Sequence, residues 1–545
     1  MKKKVVYLLL AVAIIGLLSL KPLGIISRSE SYFELKETMV VEKFEAADFY
    51  VELADGYRIN VEFTGNDGKY TGTVYLPGNV DTSDCKLSWN SEEDTYISKR
   101  LKHYGSGEFP LAGDGYKAIF MLNCGDNKYD LMLKTAVCSA NVEPLLISID
   151  ESMGTITDMN ADWNHETSCY GELNFEDANY YMSIKGRGNA TWHYCPKKPY
   201  NISFLKEAYE GKAKVSMIDG TATRKWSLLA NYSDPSLLRN RIGYLLADEM
   251  GVGLPSKYFD VWMNGEYLGN YLATPKNDYQ ASDDGFILEL DNQIDEEDPQ
   301  FYLANEQGII ESMRFTIKDN SSDWSSEEIS KWMDMVFKAI EDYESDDYLN
   351  YIDLDSWAKV YLLHELFKNY DVVNGSVLMH RDGTGAEDKL FAGPIWDLDN
   401  ALGTTNWNID NGMDFETALS ADRPYIESVA LSDNNYCWLQ ELGKHQSFMK
   451  RVKELYQEYK YLFDNLNNVV DEQCAFLGAS AMVNSERWGL TNLTHNNFQL
   501  SEELEFYNCD YPFKYVEPVD YYDYVLNLKT FIAARTQFLA DYYLQ

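Results

Sequence analysis

Asp371, in the stretch LFKNYDVVNGSVLM, and Asp397 and Asp399, in GPIWDLDNALG, are residues whose type and spacing could do chemistry. The first follows a helical run, DSWAKVYLLHELFKNY. The acidic pair follows a strand-like run, KLFAGPIW, and a short β-hairpin is predicted between the two sites. Such a ribbon would deliver two acidic loops to one place. Carboxylate oxygens are the ligands Mg²⁺ prefers. One carboxylate to orient a hydroxyl and another to anchor a metal bridging phosphates is the layout of a phosphotransfer site. A plainer explanation exists for the same residues, in which Asp371 caps a helix and Asp397 and Asp399 line a solvated turn. Spacing alone leaves both open.

Complementary charge lies upstream, in IKGRGNATWHYCPKKPYNISF. Gly186 and Gly188 permit a tight turn whose backbone amides could face phosphates, and Arg187, Lys197 and Lys198 offer cations to them. A Gly-x-Gly pair by itself also marks an ordinary hairpin turn. The letters His380-Arg381-Asp382 match the catalytic loop of protein kinases, but that loop needs an Asn five residues beyond its Asp. Here the residue is Glu387. Asp382-Gly383 sits between GSVLMH and KLFAGPIW, so it is predicted to be a hairpin turn rather than a catalytic element.

Several elements must position these groups. Residues 33–142 alternate short apolar-polar runs (YRINVEF, YTGTVYL, YKAIFML) with turn clusters (TGNDGK, LAGDG), which predicts a small all-β, sandwich-like domain. Strand signals continue in PLLISID, YYMSIKGRG and KPYNISF. An amphipathic helix is then predicted in SDPSLLRNRIGYLLADEMG, capped by Ser233 or Asp234, with Pro235 in its first turn. Leu238, Ile242, Leu245 and Leu246 form its apolar face, and Gly251 ends it. Two strands flank an Asn264-Gly265 turn, GFILELD is another strand, and helices are expected at 325–345 and 353–370. From 405 onward the chain reads as mostly helical. It closes on a segment where Leu528, Phe531, Ile532, Arg535, Phe538 and Leu539 keep helical spacing. The order is therefore a β domain, a β-rich lobe and a helical lobe.

Composition narrows the function classes. Forty-seven Lys and Arg against 87 Asp and Glu leave a net charge of −40, which repels nucleic acid and favours cations and basic partners. Residues 1–28 begin MKKKVVYLLLAVAIIGLLSL, three lysines before an apolar run, and read as an export signal or anchor. With no small-x-small cleavage site after it, an uncleaved membrane anchor is favoured over a removed signal, placing the remainder outside the cytoplasm. Eight cysteines without a Cys-x-x-Cys argue against zinc. Cys124 and Cys138 are the best-placed local pair for a disulfide, although sequence fixes no pairing.

Seven collinear stretches, GRGNATW…KKPYNISF, LLANYSDPSLLRNRIGYLLADEMG, NGEYLGNYLAT, GFILELD, KNYDVVNGSVLMHRD, LFAGPIWDLDNALG and LKTFIAARTQFL, together resemble the spore-coat-protein-H (CotH) family of atypical kinases. The resemblance covers residues 145–545 and leaves the β domain outside it. It implies an α+β, protein-kinase-like two-lobed domain that transfers the γ-phosphate of ATP, with Mg²⁺ or Mn²⁺, to Ser or Thr of secreted or surface proteins. Basic, Ser-rich acceptors would suit the acidic chain. Asp371 falls at the catalytic aspartate and Asp397 at the metal-binding one, with Asp399 and Ser376 as further ligands. Arg187, Lys197 and Lys198, with Gly186 and Gly188, fall in the phosphate-meeting segment, Lys198 standing for the kinase lysine. Arg239 and Asn240 match a recurring pair expected to orient the site. Two positions depart from the pattern. Ser376 stands where kinases carry a metal-binding Asn, with Asn374 two residues earlier, and Pro275 and Lys276 stand where an acidic residue is common. The alternative is a kinase-fold module, weak or inactive in catalysis, that serves surface assembly or polysaccharide binding.

Overall fold

The computed structural model describes residues 41–544 apart from 177, 277–281, 292–298, 306–307, 370, 374, 404–420, 422, 429–435, 490–503, 506–513 and 516–518. The expected leader at 1–28 and Asn374 lie outside the described residues. Among the described residues no helix is long and apolar enough to cross a membrane. The architecture is mixed α+β.

Residues 42–137 form a seven-stranded and a four-stranded sheet. Strand Arg58–Val61 alternates exposed and buried positions along its length, and Lys86–Asn90 buries every second residue, Leu87 and Trp89. One face of each sheet therefore contributes to a common core of Phe49, Val51, Ile59, Phe63, Val74, Leu87, Trp89 and Phe120. Long hairpin Lys117–Cys124 and Asn127–Val137 turns at 125–126. Cys124 and Cys138 are both free, which overturns the expected disulfide. Cys124 ends the first strand opposite Asn127, while Cys138 follows the far end of the second, roughly 35 Å away at the rise of an extended chain, whereas a disulfide needs Cα atoms within about 7 Å.

The following β-rich segment closes on itself. Strands Glu143–Ile149, Ser168–Phe175, Ala178–Gly186, Tyr200–Phe204, Lys225–Leu229, Glu266–Pro275 and Lys257–Met263 form a barrel. Its seam is a parallel pairing of Glu143–Ile147 with Phe259–Met263. The Asn264-Gly265 turn forms as expected, with both residues at positive φ between Met263 and Glu266. The N-terminal sheets rest on this barrel through aromatic contacts. Tyr75 stacks on Tyr267 with centroids 5.1 Å apart, and Trp262 Nε1 donates to the Tyr75 carbonyl at 3.2 Å.

Beyond the barrel, a five-stranded sheet and the remaining long helices share the largest core. The expected helix over 233–251 starts later, at Arg239–Glu249. Asp234 is spent first on a local turn, accepting from the Ser236 and Arg239 amides at 3.0 and 2.8 Å, while Leu237 takes φ +62°. Helices Ser326–Glu341 and Leu354–Phe367 match the predicted ones. Terminal helix Tyr521–Leu544 buries Leu528, Phe531, Ile532, Arg535, Phe538 and Leu539 as its spacing required. The Arg535 guanidinium is fully buried and pairs with Glu365 at 2.5 Å, its other donors meeting the Glu365, Ala421 and Arg423 carbonyls. Glu365 in turn accepts the Tyr425 and Ile426 amides. Removing one partner strands a buried charge, so Arg535→Met is expected to lower unfolding free energy by about 3–5 kcal/mol. Urea titration checks this, and a loss well under that range would show the pair to be dispensable.

Candidate functional site

Helix Leu354–Phe367 is buried on nearly every side, which fixes where its C-terminus points. Lys368 caps it in the left-handed conformation at φ +50°, and Asp371 opens a single helical turn, Asp371–Val373. The chain then enters strand Val377–Arg381, pairs Met379 with Ala392 on the return, and arrives at Asp397. The hairpin expected between the acidic loops is thus present, although its loop spans Asp382 to Leu390 rather than a two-residue turn. His380-Arg381-Asp382 is structural, as its context predicted. Arg381 is buried against Trp324 and Trp332, donates to the Asp388 and Gly385 carbonyls, and leaves Asp382 exposed.

Asparagines hold the three aspartates. Asn400 Nδ2 donates to Asp371 Oδ2 at 3.0 Å, and Asn369 receives the Asp371 amide at 3.3 Å while donating to the Asp397 carbonyl at 3.2 Å. Asn240 donates to Asp399 and to Asn231, and its carbonyl oxygen accepts the Leu398 amide at 2.9 Å. Ser376 Oγ approaches Asp397 Oδ2 at 3.4 Å. Arg239, salt-bridged to Asp234, donates to the Ala401 and Leu402 carbonyls and so clamps the loop that carries Asp397 and Asp399. Asp397 itself has φ +55°, a conformation costly to most side chains and retained where surrounding structure over-determines it.

Burial, with neighbouring charge, perturbs all three carboxylates. Burial and then the neighbouring Asp397 push Asp371 up to about 7. Burial and Asp397 likewise push Asp399 up to about 8, with Asp234 adding to the effect. Asp397 is raised by burial, while Arg187 pulls it down. Asp371 and Asp399 therefore sit in the field of Asp397, Asp397 sits in that of Glu289, and Arg187 is the cation that opposes Asp397.

Arg187 lies over the Trp396 ring at 5.3 Å, and among the described residues its guanidinium has no hydrogen-bond or ion-pair partner. Its turn depends on glycine. A Cβ at Gly186 would lie 2.4 Å from the Trp192 ring, and Gly188 has φ +77°. The Arg187 amide bonds the Pro199 carbonyl at 3.2 Å, so that amide stays within the turn. The two lysines are placed elsewhere. Lys197 is buried, its ammonium spent on the Ala230 and Asn270 carbonyls and on Asn484 Oδ1. Lys198 donates to the Trp192 carbonyl and lies over the Trp192 ring. The structure thus brings Asp371, Asp397, Asp399, Ser376 and Arg187 together and turns both lysine amines onto protein groups. Sequence reasoning missed Asn369, Asn400 and Trp396. Asn400 stands beside Asp399, so polarity at that position was the available signal.

A cluster of anions with one opposing arginine and oxygen donors is a chemically suitable seat for a divalent cation. Among the described residues no three His, Cys, Asp or Glu side chains are grouped to hold an ion by themselves. Three aspartates, a nearby arginine and a hairpin joining the two aspartate loops make up the candidate site. The sequence matches the model of the family described as CotH kinase protein over residues 184–539, more than half of the chain, and the chain belongs to that family. Every site residue named above falls within the matched span, and the N-terminal sheets fall outside it. No curated protein matches the chain.

The electrostatics carry a stability signature. A carboxyl held above its unfolded value of about 4 binds protons more tightly in the folded state, so its contribution is lost as pH rises toward its folded value. Asp399→Asn removes one such group. In EDTA the variant is expected to exceed the parent in stability by on the order of 1 kcal/mol near pH 8, with the gap shrinking toward pH 5. Melting curves with the same pH dependence in both proteins would contradict the assigned repulsion.

Proposed function

We propose that this protein is an ATP-dependent kinase, transferring the γ-phosphate to Ser or Thr of secreted or surface proteins. The barrel and the helical segment serve as the two lobes of a kinase-like domain. The observation that carries the reading is the grouping of Asp371 with Asp397 beneath an unspent Arg187, within a chain of this family.

Asp371 takes the role of proton acceptor. Its raised affinity for a proton makes it a stronger base than an exposed aspartate, and Asn400 fixes one of its oxygens so that the other can meet a hydroxyl. In the transfer, the acceptor oxygen bonds the γ-phosphorus, its proton passes to Asp371, and the bridging bond to ADP breaks. Arg187 supplies charge-assisted hydrogen bonds to phosphate oxygens, and its guanidinium lies over the Trp396 ring. Asp397 and Asp399 would hold Mg²⁺ or Mn²⁺, and Ser376 can contribute its hydroxyl to the same side. When bound, that ion neutralises phosphate charge and relieves the repulsion among the carboxylates. Export and anchoring through residues 1–28 place the reaction outside the cytoplasm, where the −40 charge favours basic acceptors.

A second reading is supported by the lysines. With Lys197 and Lys198 bonded to protein carbonyls, a kinase-fold module that binds nucleotide without transfer, serving surface assembly or polysaccharide binding, is the alternative. Two variants separate the readings. Asp371→Ala is expected to retain metal-dependent ATP binding and lose label transfer from γ-labelled ATP to a basic Ser-rich acceptor by at least about a hundredfold. Asp397→Ala is expected to lose the metal-dependent binding itself. If the parent binds ATP yet labels nothing, the binding module takes precedence, and undiminished binding by Asp397→Ala would sink the metal assignment.

A further inference from the structure

Close in sequence to the Arg187 turn the protein displays an aromatic platform. Trp163 and Tyr194 are each 59% exposed, which is unusual for rings of this size. The Trp163 ring lies flat on His193, with centroids 3.8 Å apart and planes 4° from parallel, and Tyr194 meets Trp163 edge-on at 6.4 Å. Construction is rigid. Asp162 accepts from the Asn164, Glu166 and Thr167 amides and the Thr167 hydroxyl, so the loop bearing Trp163 is wound around one carboxylate. His193 Nε2 meets the Trp163 carbonyl at 3.0 Å, and buried Trp192 donates to the Asp162 carbonyl at 2.9 Å. Trp192 is also the ring against which Gly186 packs and whose carbonyl receives Lys198. The platform and the Arg187 turn are therefore linked through Trp192, with Tyr194 seven residues from Arg187. At full extension that separation is at most about 25 Å, and the intervening helix Ala190–Tyr194 shortens it.

We infer that Trp163, His193 and Tyr194 form a docking surface for an arginine-bearing segment of the acceptor polypeptide, seated beside the phosphate-handling turn. The inference deepens, and rests on, the kinase reading. An exposed indole face attracts a guanidinium through its π-electrons, a match that neutral apolar side chains lack. Local charge agrees. Residues 150–166 carry Asp150, Glu151, Asp158, Asp162 and Glu166 and no Lys or Arg, within a chain of net charge −40.

The test is a double-mutant cycle read by fluorescence anisotropy, using a labelled serine peptide that contains arginines and its counterpart with every arginine replaced by glutamine. Trp163→Ala is expected to weaken the arginine peptide about tenfold and to leave the glutamine peptide nearly unchanged. Tyr194→Ala should act in the same direction with smaller effect. Trp163→Leu preserves apolar bulk while removing the π face, so it should behave as alanine does and guards against a folding defect. Equal losses for both peptides, no loss for either, or failure of the parent to bind the arginine peptide would each overturn the inference. So would an oligosaccharide whose binding depends on Trp163 when the peptide's does not. The readout needs no ATP: intact arginine coupling in a protein that transfers no phosphate would sink the kinase reading and leave the docking surface standing.

Discussion

Repulsion among three carboxylates is the constraint around which this molecule is arranged. Burial raises the proton affinity of Asp371, Asp397 and Asp399, and charge adds to it, from Asp397 at Asp371 and Asp399 and from Glu289 at Asp397. Left to themselves they would swing apart. What prevents it is a set of neutral hydrogen bonds from Asn240, Asn369 and Asn400, and the Arg239–Asp234 pair that clamps the loop beyond Asp397. Neutral donors have a particular merit here. They fix the aspartate loops without supplying a full positive charge. The negative charge of the group is thereby preserved.

The same division of labour runs through the scaffold. The helix that delivers Asp371 is buried on nearly all sides, and the strand that follows it lies within a five-stranded sheet. Their anchoring reaches the end of the chain, where Arg535 of the terminal helix bonds Glu365 and the carbonyls around it. A site residue at 371 thus depends on a side chain 164 positions later, as expected when a rigid framework must hold charges that repel.

Local pattern in the sequence identified much of this and missed what depends on distant partners. Asp371, Asp397 and the hairpin between them were legible because alternation and turn residues report strands directly. The reading of His380-Arg381-Asp382 as structural was legible for the same reason. Lys197 was not: its partner Asn484 lies 287 residues away, and no local feature announces burial of an amine. The late start of the Arg239–Glu249 helix also escaped, because Asp234 was read as a helix cap although its carboxylate closes a preceding turn and binds Arg239 as well. Cys124 and Cys138 looked adjacent in sequence but were set apart by an eleven-residue strand.

Barrel closure has a kinetic side. Its seam joins Glu143–Ile147 to Phe259–Met263, so the first strand must wait for a partner more than a hundred residues downstream. Until that partner emerges, one edge of the strand presents unpaired amides and carbonyls, the arrangement most open to mispairing with another chain. Parallel, long-range pairing is also the slowest kind to form, because the intervening loop must be ordered before any contact rewards it. Trp262 and Tyr267, which seat the N-terminal sheets, come from the late strands. The first segment synthesised is therefore the one whose resting place is completed only after its neighbour has closed.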